Sequence, residues 1–312
     1  MTTRARHAEA DRAAKAFQAA LAAQGARTVA EALVLWKGVP PELAERVRPA
    51  WLRSVLRIIT RRRRATWDLG IAYYRYVRAL RINATVALPG EEGGSTTLEE
   101  LRDAFRALAP SMPKTGAVGN VKIESIGNLE DDRRRLETAA RREAIENLTN
   151  LGTSNLAKKV KKIDLDQSSR QVQAEVKEAH KSAGARQAAS AERYAINAAR
   201  SAVWNAGEKD PKAVGYVRLS RTGTPCGWCA MLISRGPVYK TEKSAVFSDG
   251  DKYHDNCNCF AEPVFVKNQY EKSNAFSLNR EYQDLWPKVT KGLSGKAALS
   301  EWRKFIRSRN DQ

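Results

Sequence analysis

The four cysteines of the chain and one histidine lie close together and restrict what its C-terminal half can fold into. They form the pairs Cys226-Gly-Trp-Cys229 and Cys257-Asn-Cys259, and His254 stands just before the second pair. A Cys-x-x-Cys turn can place two thiolates on one zinc ion, and a second pair further along can close the site across a loop. The pattern therefore predicts one structural zinc site between residues 226 and 259.

Tetrahedral zinc takes four ligands, and this segment offers five. We expect either His254 or one of Cys257 and Cys259 to remain outside the coordination sphere. Large apolar residues are sparse between Arg221 and Pro263. A metal-binding free energy of order ~10 kcal/mol would compensate for that thin core.

Three other interpretations of the cysteines stay open. A redox Cys-x-x-Cys motif normally opens a helix after a strand in a βαβ setting, and the sequence shows no such pattern. Disulfides form if the protein leaves a reducing compartment. A catalytic zinc needs an open coordination position and a carboxylate base; Asp249, Asp251, Asp255 and Glu262 are present, and their spacing distinguishes none of them.

The chain is strongly basic, with 54 Lys and Arg against 35 Asp and Glu and a net charge of +19. Such a charge fits an acidic partner such as nucleic acid, and a solvated basic surface accounts for it equally well. The densest basic run is Arg61, Arg62, Arg63 and Arg64, on a predicted helix with one apolar and one basic face. These four are the candidate contacts to phosphates or to an acidic protein surface.

The sequence contains neither the apolar core of a secretory signal near its N-terminus nor an apolar run near the ~20 residues that cross a bilayer. We therefore expect synthesis in a reducing cytoplasm and no membrane partner.

The periodicity predicts an α+β protein that is mostly α-helical, with an extended N-terminal helical region and a small zinc-stabilised C-terminal α+β domain. Helices are expected up to residue 82, broken at Pro40, Pro41 and Pro49, followed by a loop over 83–97 and a helix capped by Thr97. The segment from 156 to 183 reads as either an exposed helix or a linker. Residues 214–219 and 262–266 are strand candidates.

The segments around the cysteines resemble a known family. They read Gly215-Tyr-Val-Arg218, Gly223-Thr-Pro-Cys-Gly-Trp-Cys-Ala-Met-Leu-Ile-Ser-Arg-Gly-Pro-Val-Tyr239, Tyr253-His254 and Cys257-Asn-Cys259. Here the chain resembles the MuF-like minor capsid proteins of tailed bacteriophages of actinobacterial hosts, which are related to the F protein of phage Mu. The resemblance is densest over residues 184–265, and residues 1–170 share only a general helical character with the family.

The resemblance implies a structural virion protein inside the capsid at the portal vertex, made in the host cytoplasm and aiding head assembly, DNA packaging or ejection. Its implied partners are the portal protein, packaged double-stranded DNA and, more loosely, the major capsid or scaffold protein. The expected organisation is an N-terminal helical region that docks on the portal (1–90), a charged helical or linker region (91–183) and a MuF-like C-terminal domain carrying the zinc site (184–312).

Two alternatives remain, an enzymatic virion protein (protease, nuclease or transferase) and a zinc-containing DNA-binding protein. An enzyme needs converging polar groups, and its best candidates, Arg200, Arg218 and Arg235, have no evident carboxylate partner in the sequence. A zinc finger needs a recognition helix after its second ligand pair, and residues 262–266 look extended. We therefore expect no catalytic residues.

Overall fold

The structure is a computed structural model and describes residues 3–91, 93–220, 223–239, 254–255, 257, 259–266 and 268–311. Within these ranges long α-helices dominate, and two small three-stranded sheets accompany them. The predicted fold class, α+β and mostly α-helical, is confirmed.

The described helices are α1 (Thr3–Lys37), α2 (Ala44–Ile82), α3 (Leu98–Leu108), α4 (Leu129–Leu151), α5 (Thr153–Val160), α6 (Ser169–Lys209), α7 (Gly227–Ile233), α8 (Gln269–Lys272), α9 (Ser277–Val289) and α10 (Gly295–Asn310). The described strands are β1 (Ala84–Val86), β2 (Ser95–Thr97), β3 (Asn120–Glu124), β4 (Gly215–Ser220), β5 (Val238–Tyr239) and β6 (Cys259–Val264). Short 3-10 helices cover Pro41–Leu43 and Asn274–Phe276.

Helices α1, α2 and α6 pack against one another and form the centre of the molecule. Phe17 of α1 stacks on Tyr73 of α2 with ring centroids 4.2 Å apart, and both rings are buried. At Gly70, α2 and α6 come so close that an added Cβ would lie 2.6 Å from the carbonyl oxygen of Ala199. The close packing of α2 on α6 therefore requires a residue without a Cβ atom at position 70.

Two local predictions about the N-terminal half are wrong. Pro49 does not break a helix, because α2 already begins at Ala44 and continues through it. Trp51 and Val55 are buried in a cluster with Trp36, and this packing offsets the hydrogen bond that proline cannot make. The predicted loop over 83–97 contains β1 and β2 at its ends.

The first sheet has the order β1-β3-β2, with β1 parallel and β2 antiparallel to β3. Strands of three residues carry too little alternation to be recognised, and their backbone partner lies in β3, more than twenty positions further along the chain. The predicted cap at Thr97 is confirmed, because its side chain accepts from the backbone N–H of Glu100 and the Glu100 carboxylate accepts from the N–H of Thr97.

The segment that the sequence left open between 156 and 183 contains the end of α5 and the beginning of α6. A capping box of Ser168 and Gln171 starts α6, which then runs without interruption to Lys209. Position 184 therefore lies inside a continuous helix. The predicted region limits at 90 and 183 stay predictions.

The second sheet is antiparallel with the order β5-β4-β6, and both strand candidates of the C-terminal half are confirmed in it, β6 beginning earlier than expected. Its register pairs Ser220 with Cys259 and Arg218 with Ala261. Alternate residues of a strand face opposite sides, so Phe260 and Val264 enter the central helical core while Cys259 faces the other side with Arg218. The sheet thus separates the main core from the cysteines.

Candidate metal centre

The first cysteine pair is positioned by the start of α7. Cys226 is the N-cap of this helix, and its sulfur accepts a hydrogen bond from the backbone N–H of Cys229 over 3.5 Å. One helical turn therefore holds both sulfurs on the same side of the chain. Such N–H groups also stabilise a thiolate that binds a metal.

The second group comes from the approach to β6. The backbone N–H of Cys257 donates to the carbonyl of His254 over 3.1 Å, which folds the segment into a turn. Cys259 is the first residue of β6, paired with Ser220 of β4. The turn and the strand register together bring His254, Cys257 and Cys259 against α7.

The five predicted ligands converge. The Nε2 atom of His254 lies 3.2 Å from the sulfur of Cys226 and 3.5 Å from that of Cys229. The sulfur of Cys257 lies 3.5 Å from that of Cys229 and 3.2 Å from that of Cys259. All four cysteines are free thiols in this structure, because a disulfide would bring two sulfurs to about 2 Å.

These donor atoms form two overlapping groups, each compact enough to hold a metal ion. Cys226, Cys229 and His254 make the outer group, and Cys229, Cys257 and Cys259 the inner one, with the donor atoms of each group within 4.8 Å of one another. Cys229 belongs to both. The side chains of the outer group reach solvent at Cys226 and His254, whereas the inner group is buried.

The polar surroundings suit a cluster of thiolates. The buried guanidinium of Arg218 donates from Nη1 to the sulfur of Cys259 over 3.5 Å, and buried Arg200 donates from Nη2 to the carbonyl of Cys257 over 2.5 Å. Buried negative charge is stable only near positive charge or hydrogen-bond donors. Thiolate and imidazole donors around one point are the ligand set of structural zinc.

Within the outer group, the contact between Cys226 and His254 favours the charged form of each side chain. Hydrogen bonding from Cys229 and then from His254 lowers the pKa of the Cys226 thiol to about 4. The same contact with Cys226 raises the pKa of His254 to about 9. Nδ1 of His254 lies 2.7 Å from the carbonyl oxygen of Asp255, a contact that orients Nε2 toward the two sulfurs.

The described carboxylates near the centre have other partners. Asp255 accepts from Nε of Arg193 on α6 over 2.7 Å, which ties the ligand turn to the long helix. Glu262 faces the opposite side of the sheet and accepts a hydrogen bond from Tyr73. Asp249 and Asp251 lie outside the described residues. Both described carboxylates therefore serve packing contacts.

One expectation about the Cys-x-x-Cys motif is wrong in part. Cys226 does open a helix, α7, that follows strand β4, an arrangement that the sequence did not reveal. The strands on either side of it are antiparallel, so the βαβ setting of a redox motif is not formed by the described strands.

The predicted basic run does not form one surface. Arg61 and Arg62 both pair with Glu31 of α1. Arg63 is only 4% exposed and donates to Glu137 and to the carbonyl of Tyr194, so a phosphate or an acidic partner cannot reach it. Arg64 is exposed. The binding role of these arginines stays a prediction.

The sequence did not place Arg200 and Arg218 at the metal centre, where the structure finds them in contact with Cys257 and Cys259. Arg200 also donates to Asn197 on its own helix, and the carbonyl of Arg218 accepts from Asn279 of α9. The sequence indicates the contact between Arg218 and Cys259 only indirectly. The two side chains lie on the same face of the sheet, and this follows only once the register of β4 and β6 is known.

None of the helices described in the structure is long and apolar enough to span a membrane.

The sequence profile of the VG15 protein family matches residues 95–285, which is more than half of the chain and includes all five candidate ligands. Neither the curated proteins nor the solved structures include a significant match.

Proposed function

The chain belongs to the VG15 protein family, a family of viral proteins, and on this premise we propose that it is a structural minor capsid protein of a tailed phage. Its place is the portal vertex inside the head, where it aids head assembly, DNA packaging or ejection. The single observation that carries the proposal is the family match, which spans the metal centre and helix α6 beside it.

The surroundings of the metal centre support a structural role. Helix α10 packs on α7, and Asn310 at its end donates to the carbonyl of Pro225, the residue before Cys226. Buried Trp302 of α10 packs against Tyr282 of α9, with ring centroids 5.7 Å apart. A metal held by the start of α7 and by the turn before β6 would therefore fasten the C-terminal helices to the sheet, and no catalytic step is part of the proposal.

Zinc is the proposed ion. Its proposed ligands are Cys226, Cys229, His254 and Cys257. The donor atoms of the other three lie within 4.8 Å of the sulfur of Cys229. Cys259 would remain outside, as its buried sulfur accepts from Arg218 and lies beside that of Cys257. Three thiolates on zinc leave one negative charge, which Arg218 and Arg200 are placed to balance.

The alternative of a DNA-binding zinc finger receives less support. The chain continues from the last ligand into β6, a buried strand of the sheet, and not into an exposed recognition helix.

The composition of purified particles tests the proposal. Quantitative mass spectrometry of proheads and DNA-filled heads should find the chain at a few copies per particle, and cross-linking should join it to the portal protein. The matched control is the major capsid protein, which should be abundant in the same samples. Absence of the chain from both kinds of head would refute the virion role, and a copy number near that of the major capsid protein would refute the portal location.

A further inference from the structure

A groove of about 1140 Å³ lies between α2 and α4, and arginines line it from both sides. Helix α2 contributes Arg53, Arg57, Arg61 and Arg64, and α4 contributes Arg133 and Arg141. We name this surface the arginine groove. It is distinct from the metal centre, whose ligands lie on α7 and around β6.

The groove follows from helical periodicity. The four arginines of α2 recur at intervals of three or four positions, so their side chains share one face of the helix. The span from Arg53 to Arg64 is ~16 Å along the helix axis. Arg133 and Arg141 stand two turns apart on α4 and face that row.

Positive charge exceeds negative charge in the groove. Six arginines line it with two carboxylates, Asp68 and Glu137. Buried Arg63 already neutralises Glu137, with Nε lying 2.9 Å from both carboxylate oxygens. The groove therefore keeps a surplus of guanidinium groups, whose planar fork matches phosphate oxygens.

Three of these guanidinium groups have no hydrogen-bond or ion-pair partner in the part of the chain that the structure describes. They are Arg53, Arg64 and Arg141, all of which are exposed. Arg64 does lie near Asp68, whose pKa it lowers against the larger effect of burial. Arg61 and Arg133, in contrast, are engaged by Glu31 and Glu130.

We propose that the arginine groove binds the phosphate backbone of double-stranded DNA, with Arg53, Arg64 and Arg141 as its principal contacts. The ~16 Å row of α2 is long enough to contact more than one phosphate of a duplex strand. The choice of DNA as partner rests on the proposed virion role, because a tailed-phage head contains packaged duplex DNA.

Salt-dependent binding of a fluorescent 20-base-pair duplex to the full-length chain tests the proposal. The groove variant combines Arg53→Gln, Arg64→Gln and Arg141→Gln. The control variant combines Arg27→Gln, Arg170→Gln and Arg186→Gln, which are exposed arginines outside the groove and change the net charge equally. Circular dichroism and thermal melting should show that both variants fold like the native chain.

Each phosphate contact contributes about −0.9 to the slope of log K against log salt. The groove variant should flatten that slope by about 2.7 and weaken binding at 0.1 M salt on the order of 100-fold, whereas the control variant should change the slope by less than about 1. Equal slopes for the two variants would overturn the proposal.

A second arm separates DNA from an acidic protein partner. Polyglutamate should displace the duplex from the native chain only weakly, since carboxylates spaced along a flexible chain do not reproduce the phosphate row. If the groove variant loses polyglutamate binding while duplex binding stays native, the groove serves an acidic protein and the DNA proposal is wrong. Either result leaves the particle composition, and with it the virion role, as an independent question.

Discussion

Glu262 of β6 is a buried carboxyl group whose ionisation should control the stability of the fold. It is 2% exposed and faces the central core, where Tyr73 of α2 donates a hydrogen bond to it. Burial is the largest cause that raises its pKa to about 7, while the contact with Tyr73 and the charge of Arg81 act in the opposite direction. The folded state therefore holds this proton more tightly than the unfolded state does.

The sign of the effect follows from linkage. Between pH 4.5 and 7 the folded chain binds more protons at this site than the unfolded chain, so the free energy of unfolding falls as pH rises. The contribution is fully present below pH 4.5 and is lost above pH 7. A shift from 4.5 to about 7 corresponds to a loss of about 3 kcal/mol across that window.

Glu262→Gln removes the titrating group and keeps the shape of the side chain. Urea unfolding at several pH values between 4.5 and 8, with zinc in excess, gives the free energy of unfolding of the native chain and of the variant. The stability of the native chain relative to the variant should fall by about 3 kcal/mol from the low to the high end of this range. Tyr73→Phe should extend the loss of stability to higher pH and increase its total, because it removes a contact that lowers the pKa of Glu262. Exposed Glu178→Gln is the control and should follow the native profile. Parallel curves for the native chain and Glu262→Gln would show that the ionisation of Glu262 does not control the stability of the fold.

Three further predictions concern packing and the metal ligands. Gly70→Ala should destabilise the chain by about 1–3 kcal/mol in urea unfolding, because its Cβ would overlap Ala199 of α6. Gly207→Ala, whose Cβ would meet Tyr74 at 3.8 Å, should instead stabilise the chain by about 0.5–1 kcal/mol. The opposite order of stabilities would contradict the close packing of α2 on α6. Trp302→Ala should lower the free energy of unfolding by about 3–5 kcal/mol and increase proteolysis after α8, because the buried ring packs α10 against α9. A native proteolysis pattern would show that α9 and α10 do not depend on this ring. In titrations with a zinc-sensitive dye, Cys229→Ala should abolish metal binding and Cys259→Ala should keep it. Loss of binding in both variants would show that Cys259 is a ligand.

The sequence predicted most of the long helices and the five clustered candidate ligands because both signals are local. Apolar periodicity marks a helix by itself, and a Cys-x-x-Cys pair needs only one turn. The capping box at Thr97 was predictable for the same reason, since its two partners lie three positions apart.

Features that depend on long-range packing could not be predicted. Arg218 meets Cys259 only through the register of β4 and β6, and β1 finds its partner in β3 beyond an intervening helix. The run of four arginines shows a related error. Consecutive residues on a helix point about 100° apart, so Arg61 and Arg64 face outward while Arg63 turns toward α6 and becomes buried. The arginine groove needs α4 docked beside α2, and neither helix alone indicates it.

The zinc content of the purified chain is the decisive measurement, because the proposed metal centre would fasten the C-terminal helices to the second sheet. Elemental analysis of the native protein should give one zinc per chain, and its removal by a strong chelator should lower the melting temperature markedly, with recovery when zinc is returned. A metal-free preparation that melts at the same temperature as the zinc-loaded protein would show that no metal stabilises the C-terminal half.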